Sequence, residues 1–470
     1  MSSQINEGEL DCTALYTNSE ELGNVLYALT QPNNDNLKRA TLLIHKFLDK
    51  PEAIMPLVQQ IETSPHAEVR QVAAVYLREQ IEEFYKKVPA DIKPKLKGFL
   101  ITKLVSLTNR AERLAIGAAI SSIAKYAFVD ENEGWNELLV ALEKICKPEQ
   151  NVELREVGYI LWRNLVSFCG GALKKHFGKI LQILQIGLKD TKSIKIQVES
   201  VKSIGIMVEF LENEKEVAII EGFVPSMVGV IDKCLKKGDE ENVIAGMEVF
   251  NDLVESKVPV IHKHAEQLTK FNLKIAAAKD ELPMTVRKQA TNFATWMCKA
   301  KPKTVMKHNF IQPFLTLCIN LVIESSEDDI PKNQQQGGGQ DGNGNDNEDD
   351  DEKVNFTSPL GIACDLLDEI FLNIPSEQCF PIATKAIEKL LIAQQSNQRK
   401  AGYVLIAMMA EGCKEIIGKG DNLKMLIKAC LKGITDDSSV VRKCSLEAIS
   451  QICTHCNFDI LQFHKMILPN

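Results

Sequence analysis

Apolar residues recur along this chain at intervals of three and four, in runs that proline or short polar clusters separate. The spacing predicts one helix over residues 52–63 and a second over 66–85. The second helix carries a single apolar stripe formed by Val69, Val72, Ala73, Tyr76, Leu77 and Phe84. A similar pair begins near residue 134, with a first helix near 134–146. On its second helix, one face carries Leu154, Val157, Gly158, Leu161, Leu165 and Phe168. Because the alternation typical of strands is nearly absent, the pattern predicts an all-α protein built from successive helix pairs.

A basic residue stands near the start of the second helix of most pairs. Arg70, Arg113, Arg155 and Lys195 are separated by 43, 42 and 40 residues, and Arg399 and Arg442 by 43. Arg287 fits the same period once a skipped position and a polar insert are allowed for. A small residue follows three positions later at Ala73, Gly158, Ala290 and Ser445, which allows paired helices to approach closely. A period of about 40 to 47 residues with two helices per unit is typical of HEAT repeats. We therefore predict a right-handed superhelical solenoid of the α-α (armadillo/HEAT) type, with about ten helix pairs.

Two roles are open for the basic residues, and the two can coexist. In the structural role, each one pairs with an acid of the adjoining unit and fixes the register, since buried charges normally have partners. In the binding role, the second helices line a concave wall. There Arg70, Gln71, Arg78, Arg113 and Arg155 would meet a charged partner.

An acidic insert interrupts the eighth pair. Residues 324–353 contain eleven Asp and Glu against two Lys, together with a run of Gln and Gly. Such a composition cannot bury enough apolar surface to fold, so we expect a disordered loop over 324–354. The loop either is solvated without a specific contact or attracts a basic partner over about 8–10 Å.

The remaining boundaries follow from the insert and the repeats. We expect a lead-in over 1–17, repeats 1 to the first half of 8 over 18–323, and the rest of repeat 8 to repeat 10 over 355–470. The last segment begins a further helix and stops without a capping unit, so we expect a truncated solenoid.

Composition excludes several classes of protein. The chain of 470 residues has a net charge of −8, of which the insert supplies −9, so no basic stripe for nucleic acid remains. Its 13 cysteines lie scattered in apolar stretches and indicate reduced core residues of a cytosolic or nuclear protein. We recognise no secretory leader and no apolar run of 18 residues, so we expect no membrane insertion.

Candidate catalytic and metal-binding motifs fail on their spacing. Gly171–Lys179 has six residues between its glycines where a phosphate-binding loop has four. Cys453 and Cys456 have the spacing of half a zinc site, but no second pair follows. We therefore expect neither metal nor cofactor, and no enzyme activity.

The segment Ser64–Arg78 resembles the corresponding repeat of importin-β (karyopherin-β) nuclear transport receptors, most closely their importin-4 branch. An acidic insert between the two helices of the eighth repeat is a second mark of that family. The resemblance implies that Ran in its GTP form binds the second helices of the first repeats. The positions that would contribute are Arg70, Gln71, Arg78, Arg113 and Arg155.

In the same resemblance, the acidic loop touches Ran and competes with basic cargo. Its candidate residues are Asp346, Glu348, Asp349, Asp350, Asp351 and Glu352. The implied function is a monomeric import receptor that shuttles between cytoplasm and nucleus. Basic cargo such as ribosomal proteins or histones would leave when RanGTP binds. Phe-Gly nucleoporins would sit between outer helices of units five to seven. The alternative is a regulatory HEAT scaffold like that of a protein phosphatase, although such scaffolds tend to have uniform units without an acidic insert.

Overall fold

Helices make up nearly all of the computed structural model, which describes residues 11–32, 34–326, 358–456 and 459–468. None of these residues lies in a strand. They divide into two compact units, Met1–Asn213 and Glu214–Asn470. The prediction of an all-α, HEAT-type architecture is confirmed.

In the described part of the first unit there are five helix pairs, repeats 1 to 5, each with an A helix followed by a B helix. The A and B helices are, for repeat 1, Ser19–Ala28 and Asn34–Leu48; for repeat 2, Ile54–Thr63 and Ala67–Phe84; and for repeat 3, Lys93–Ser106 and Arg110–Lys125. They are Asn136–Ile145 and Val152–Leu173 for repeat 4, and Phe177–Leu188 and Ile194–Met207 for repeat 5. Short 3₁₀ turns, such as Pro51–Ala53 and Tyr85–Lys87, and one π turn, Tyr126–Asp130, join them.

The second unit contains repeats 6 to 10 among its described residues. The A and B helices are, for repeat 6, Glu214–Lys237 and Glu240–Glu255; for repeat 7, Ala265–Ala276 and Met284–Ala300; and for repeat 8, Ile311–Glu324 and Pro359–Asn373. They are Ser376–Leu391 and Ser396–Gly412 for repeat 9, and Asn422–Gly433 and Ser439–His455 for repeat 10. The short helices Pro302–Lys307 and Lys414–Ile417 precede repeats 8 and 10, and Ile460–Phe463 and His464–Ile467 follow the last pair.

Polar side chains at the B-helix starts explain where several of these helices begin. The Asn109 side chain accepts hydrogen bonds from the backbone N–H groups of Ala111 and Glu112, at 2.8 and 3.2 Å. Asn151 does the same for the B helix of repeat 4, and Ser358 for that of repeat 8. Each such cap satisfies backbone donors that lack a partner within the helix and contributes about 1 kcal/mol.

Small residues let the two helices of a pair approach closely, as the sequence predicted. A Cβ atom on Gly158 would lie 2.7 Å from Cγ2 of Ile145 on the A helix, which leaves no room for a side chain. Ala73 and Ala290 are buried at the matching positions, and the buried Ser445 hydroxyl donates to the carbonyl of Cys430 at 2.5 Å. Within each unit the B helices also pack on one another, because their buried stripes face both the A helix and the next repeat.

One core assignment from the apolar stripes was wrong. Phe168 was expected to share the buried face of its helix with Leu154 and Leu165, but half of Phe168 is exposed. The last turns of that helix pack against repeat 5, where Gly170 meets the ring of Phe210, so the buried face rotates away from Phe168. In the described parts of the chain, no helix has both the length and the apolarity that a membrane span requires.

Candidate functional site

Four arginines of the repeat pattern connect one repeat to the next, namely Arg70, Arg155, Arg287 and Arg399. Arg70 donates to the carbonyl oxygen of Ser64, just after its own A helix, at 2.8 Å. Its Nε and Nη2 atoms donate to the two carboxylate oxygens of Glu112 in repeat 3, at 2.8 and 3.0 Å. Arg399 repeats this arrangement, with bonds of 2.7 and 2.8 Å to Asp436 in repeat 10. We call the basic residues that recur at the repeat period the ladder. These contacts support its structural role.

Two further arginines make the same connection with different acids. Arg287 donates to the carbonyl of Ala276 at 2.9 Å and to both carboxylate oxygens of Glu324, at 2.7 and 2.8 Å. Arg155 pairs with Asp190 in the turn of repeat 5. Since two parallel N–H···O⁻ bonds fix both distance and orientation, such pairs determine the register between repeats.

Repeat 5 departs from the ladder. Lys195, the basic residue that the spacing selected, is exposed to solvent. The buried Gln197 takes its place, since its amide donates to the carbonyl oxygen of Asp190 at 2.5 Å. An uncharged donor is sufficient there because Arg155 already neutralises the Asp190 carboxylate.

Burial separates the five candidate Ran-binding residues into two groups. Arg155 is 1% exposed and Arg113 is 5% exposed. One Nη atom of Arg113 donates to the Leu107 carbonyl, and burial lowers the pKa of its guanidinium. Arg155 joins repeats 4 and 5 through Asp190, whereas Arg113 bonds within its own repeat. With their charged groups buried, neither offers a surface to a partner.

The exposed group lies on the B helix of repeat 2. Gln71 is exposed, and Arg78 lies seven residues later on the same helical face, 41% exposed, with Nε 3.7 Å from Glu82. Glu82 in turn accepts a hydrogen bond from Ser122 of repeat 3 at 2.9 Å. Arg70 is less accessible, at 23% exposed, because Glu112 holds it. Gln71 and Arg78 are therefore the candidates that a macromolecule could contact.

The acidic candidates Asp346 and 348–352 lie outside the described residues, but the start of the insert is well defined. Glu324, predicted to be loop, ends the A helix of repeat 8 and pairs with Arg287. Ser325 is buried and accepts a 3.0 Å hydrogen bond from Lys400, and the Ser326 carbonyl accepts another at 2.6 Å. Charge alone assigned Glu324, Ser325 and Ser326 to the insert, and it could not reveal that these residues have partners in repeats 7 and 9.

Sequence reasoning missed a group of carboxylates, which we name the acidic cluster: Asp365, Asp368 and Glu369 of repeat 8 and Glu411 of repeat 9. Burial, followed by the charges of the other three members, raises the pKa of Asp368 to about 7. Among the described residues, no cation pairs with Asp368. The sequence signal that could have revealed the cluster is the spacing of Asp365, Asp368 and Glu369, which places all three on one helical face.

The neighbouring repeat contributes an aromatic ring and a lysine beside the acidic cluster. The Lys299 Nζ atom lies 3.8 Å from a carboxylate oxygen of Glu369 and 5.1 Å from the ring centroid of Trp296. Lys299 is 54% exposed and Glu369 23%. Carboxylates next to an accessible indole ring suit the recognition of lysine or arginine side chains.

A shallow, largely apolar groove lies in the first unit, at the A helices of repeats 3 and 4, and Glu137 and Lys144 also line it. Its volume is about 440 Å³, and Val105, Val140, Ile145 and Leu154 contribute its apolar lining. Val105 and Val140 are 49% and 41% exposed, so the groove is open to solvent. Its size and lining suit one aromatic side chain of a partner.

The cysteines are mostly buried. Burial raises the pKa of Cys169 and Cys234 to about 11, so these thiols are protonated and unreactive at neutral pH. No three His, Cys, Asp or Glu side chains converge as a metal site in the part of the chain that the structure describes. Cys456 is buried just after the last B helix, and its partner in the spacing motif, Cys453, is only partly buried.

Comparisons with known proteins agree with this architecture. Residues 108–271 match the family described as "IPO5-like, TPR repeats", and residues 426–456 match the HEAT repeat. Mouse importin-4 is 23% identical over 454 residues, which cover 95% of this chain and 40% of that protein. The probable importin subunit beta-4 of Schizosaccharomyces pombe is 23% identical over 451 residues, 96% of this chain and 39% of its own length.

Solved structures give the same picture. The crystal structure of Kap121p superposes with a TM-score of 0.77 at 20% identity, over 96% of this chain and 42% of that one. Kap121p bound to RanGTP superposes with a TM-score of 0.75 at 19% identity, over the same shares of the two chains. The chain thus spans about two fifths of the length of the proteins it matches. In its stacked helix pairs, and over nearly its whole length, the chain is similar to these proteins of the importin-β (karyopherin-β) family.

Proposed function

We propose that this chain is the part of a nuclear import receptor that binds basic cargo and releases it when RanGTP binds. The observation that carries the proposal is the acidic cluster, in which Asp368 has a pKa of about 7 and no described cation as a partner. A cationic ligand would relieve the repulsion among its carboxylates, so the cluster favours a lysine- or arginine-rich segment. Ribosomal proteins and histones have that chemistry.

The relatives support the same assignment. Two are named importins, and Kap121p has been crystallised with RanGTP and with Pho4p. In this chain the accessible Gln71 and Arg78 provide a polar face on repeat 2 for the GTPase, while Arg70 joins repeats 2 and 3 and Arg155 joins repeats 4 and 5. The acidic residues Asp346 and 348–352 would contact Ran and compete with basic cargo.

The groove between repeats 3 and 4 is the place that we assign to a Phe-Gly nucleoporin segment. An apolar groove open to solvent can take up a phenylalanine ring and release it quickly, as passage through a pore requires. Kap121p has been crystallised with Nup53p. Such a receptor shuttles between cytoplasm and nucleus.

Capture by immobilised Ran tests the proposal. The chain should be retained by Ran loaded with GTP and not by Ran loaded with GDP, and a lysine-rich peptide should be released by the GTP form. Arg78→Glu should weaken retention, while Lys236→Glu on the A helix of repeat 6 serves as a matched charge reversal away from the site. Equal retention of both nucleotide forms would contradict the proposal and favour a scaffold role.

A further inference from the structure

Lys299 lies at the surface that carries the acidic cluster. Its ammonium group is beside the Trp296 ring, at 5.1 Å from the centroid, and beside Glu369, at 3.8 Å. Both neighbours belong to the surface that carries the acidic cluster. The free chain therefore already contains one cation at its own candidate binding surface.

The contact is weak enough to be replaced. Lys299 is 54% exposed, and an exposed ion pair of this kind contributes little to stability. The fully buried Lys400 makes a useful contrast, because it is fixed by 2.6 and 3.0 Å hydrogen bonds to Ser326 and Ser325. A Lys299 side chain can swing into water without leaving a buried group unpaired, whereas Lys400 cannot.

We infer that Lys299 is an internal competitor: a lysine of the ligand must displace it from Trp296 and Glu369 before it can bind there. This inference rests on the proposed function. Competition of this kind lowers the affinity for weakly basic segments and so raises the selectivity for strongly basic ones, since every ligand must first replace the same contact.

Fluorescence polarisation of a labelled hexalysine peptide measures the effect. Lys299→Met removes the charge but keeps most of the side-chain volume, and should tighten binding about 3- to 30-fold, the range expected for one exposed ion pair plus one cation–π contact. Lys299→Arg keeps a cation and should bind like the unmodified chain. Lys288→Met, 11 residues earlier on the same helix, is the matched control and should change affinity less than 2-fold.

A second substitution separates competition from a general change in charge. Trp296→Phe removes the indole, the ring that holds an ammonium best, and should weaken peptide binding more in the Lys299→Met background than in the unmodified chain, because only there is the ring free. Thermal melting should be unchanged for the Lys299 variants, since the side chain is exposed.

The outcomes distinguish the inference from the function beneath it. If hexalysine binds and Asp368→Asn weakens binding, but Lys299→Met binds no more tightly, then the internal competitor is wrong and the cargo surface stands. If neither the unmodified chain nor Lys299→Met binds hexalysine, the cargo surface is wrong and the inference fails with it.

Discussion

Arg70 and Glu112 face each other across the boundary between repeats 2 and 3, and two parallel hydrogen bonds of 2.8 and 3.0 Å join them. Glu112 is only 2% exposed. An arginine that looked like a partner contact thus has a structural task, which is to neutralise a buried carboxylate of the next repeat.

Arg70→Met should destabilise the first unit by about 3 kcal/mol, because it leaves Glu112 buried without a cation. The double variant Arg70→Met with Glu112→Met should recover part of that loss, since no charge then remains buried. Urea unfolding followed by circular dichroism measures the free energy of unfolding of the single and the double variant. Lys95→Met, at an exposed ion pair with Asp91, is the control and should change stability by less than about 0.5 kcal/mol. An unchanged urea midpoint for Arg70→Met would contradict the structural role.

Stability of the second unit should fall as pH rises from about 4 to 7. The pKa of Asp368 is about 7 in the folded chain against 3.8 for a free aspartate, so over this range the folded state binds the extra proton. Asp368→Asn should therefore stabilise the protein at pH 8, by on the order of 3 kcal/mol, and have no effect near pH 4. Urea midpoints at several pH values test this, with the exposed Asp421→Asn as control. If the difference in stability between Asp368→Asn and the unmodified chain is the same at every pH, the raised pKa of Asp368 is wrong.

The same titration should appear in ligand binding. A cationic peptide binds the ionised form of Asp368, so its affinity should rise between pH 6 and 8 and a proton should be released on binding near neutral pH. Titration calorimetry in two buffers of different ionisation enthalpy measures the release. Asp368→Asn should abolish most of it, and persistence of the full release would assign the proton to another group.

Replacement of residues 327–352 by a Gly-Ser linker of equal length should leave the melting midpoint unchanged while weakening capture of GTP-loaded Ran. Extending the replacement to 325–352 should lower stability by about 2 kcal/mol or more, because it removes the side-chain acceptor that Ser325 provides for the fully buried Lys400 ammonium. Equal linker length keeps the entropy of loop closure constant. Equal melting points for the two replacements would show that the Ser325 contact contributes nothing.

Val140→Glu should weaken capture of a Phe-Gly peptide roughly 10-fold, because a carboxylate would replace an apolar side chain in the groove that we propose for the phenylalanine ring. Ile186→Glu, on the A helix of repeat 5, tests instead the location that the family resemblance implies. The Ile186 side chain is 46% exposed, similar to the 41% of Val140. Met425→Glu in repeat 10 is the control for a new surface charge. If only Ile186→Glu weakens capture, the groove between repeats 3 and 4 is not the site.

The repeat ladder could be predicted from the sequence because it depends on local spacing. The distances between Arg70, Arg113 and Arg155 required only a period, and a period is written in the chain. Which role those arginines have could not be predicted, because exposure depends on the neighbouring repeat. The acid that pairs with Arg155, Asp190, is 35 residues away.

What the sequence determined by itself was the helix pairing, the close approach at Gly158 and the site of the insert, since helical period, residue volume and charge density are local properties. The tertiary structure decided that Arg113 and Arg155 are buried and that Gln197 replaces Lys195. It also decided that Asp365, Glu369 and Glu411 act on Asp368, and that Lys299 lies near both Glu369 and Trp296. The physical reason is that burial and the interaction of charges depend on distances between residues of different repeats, and packing alone sets those distances.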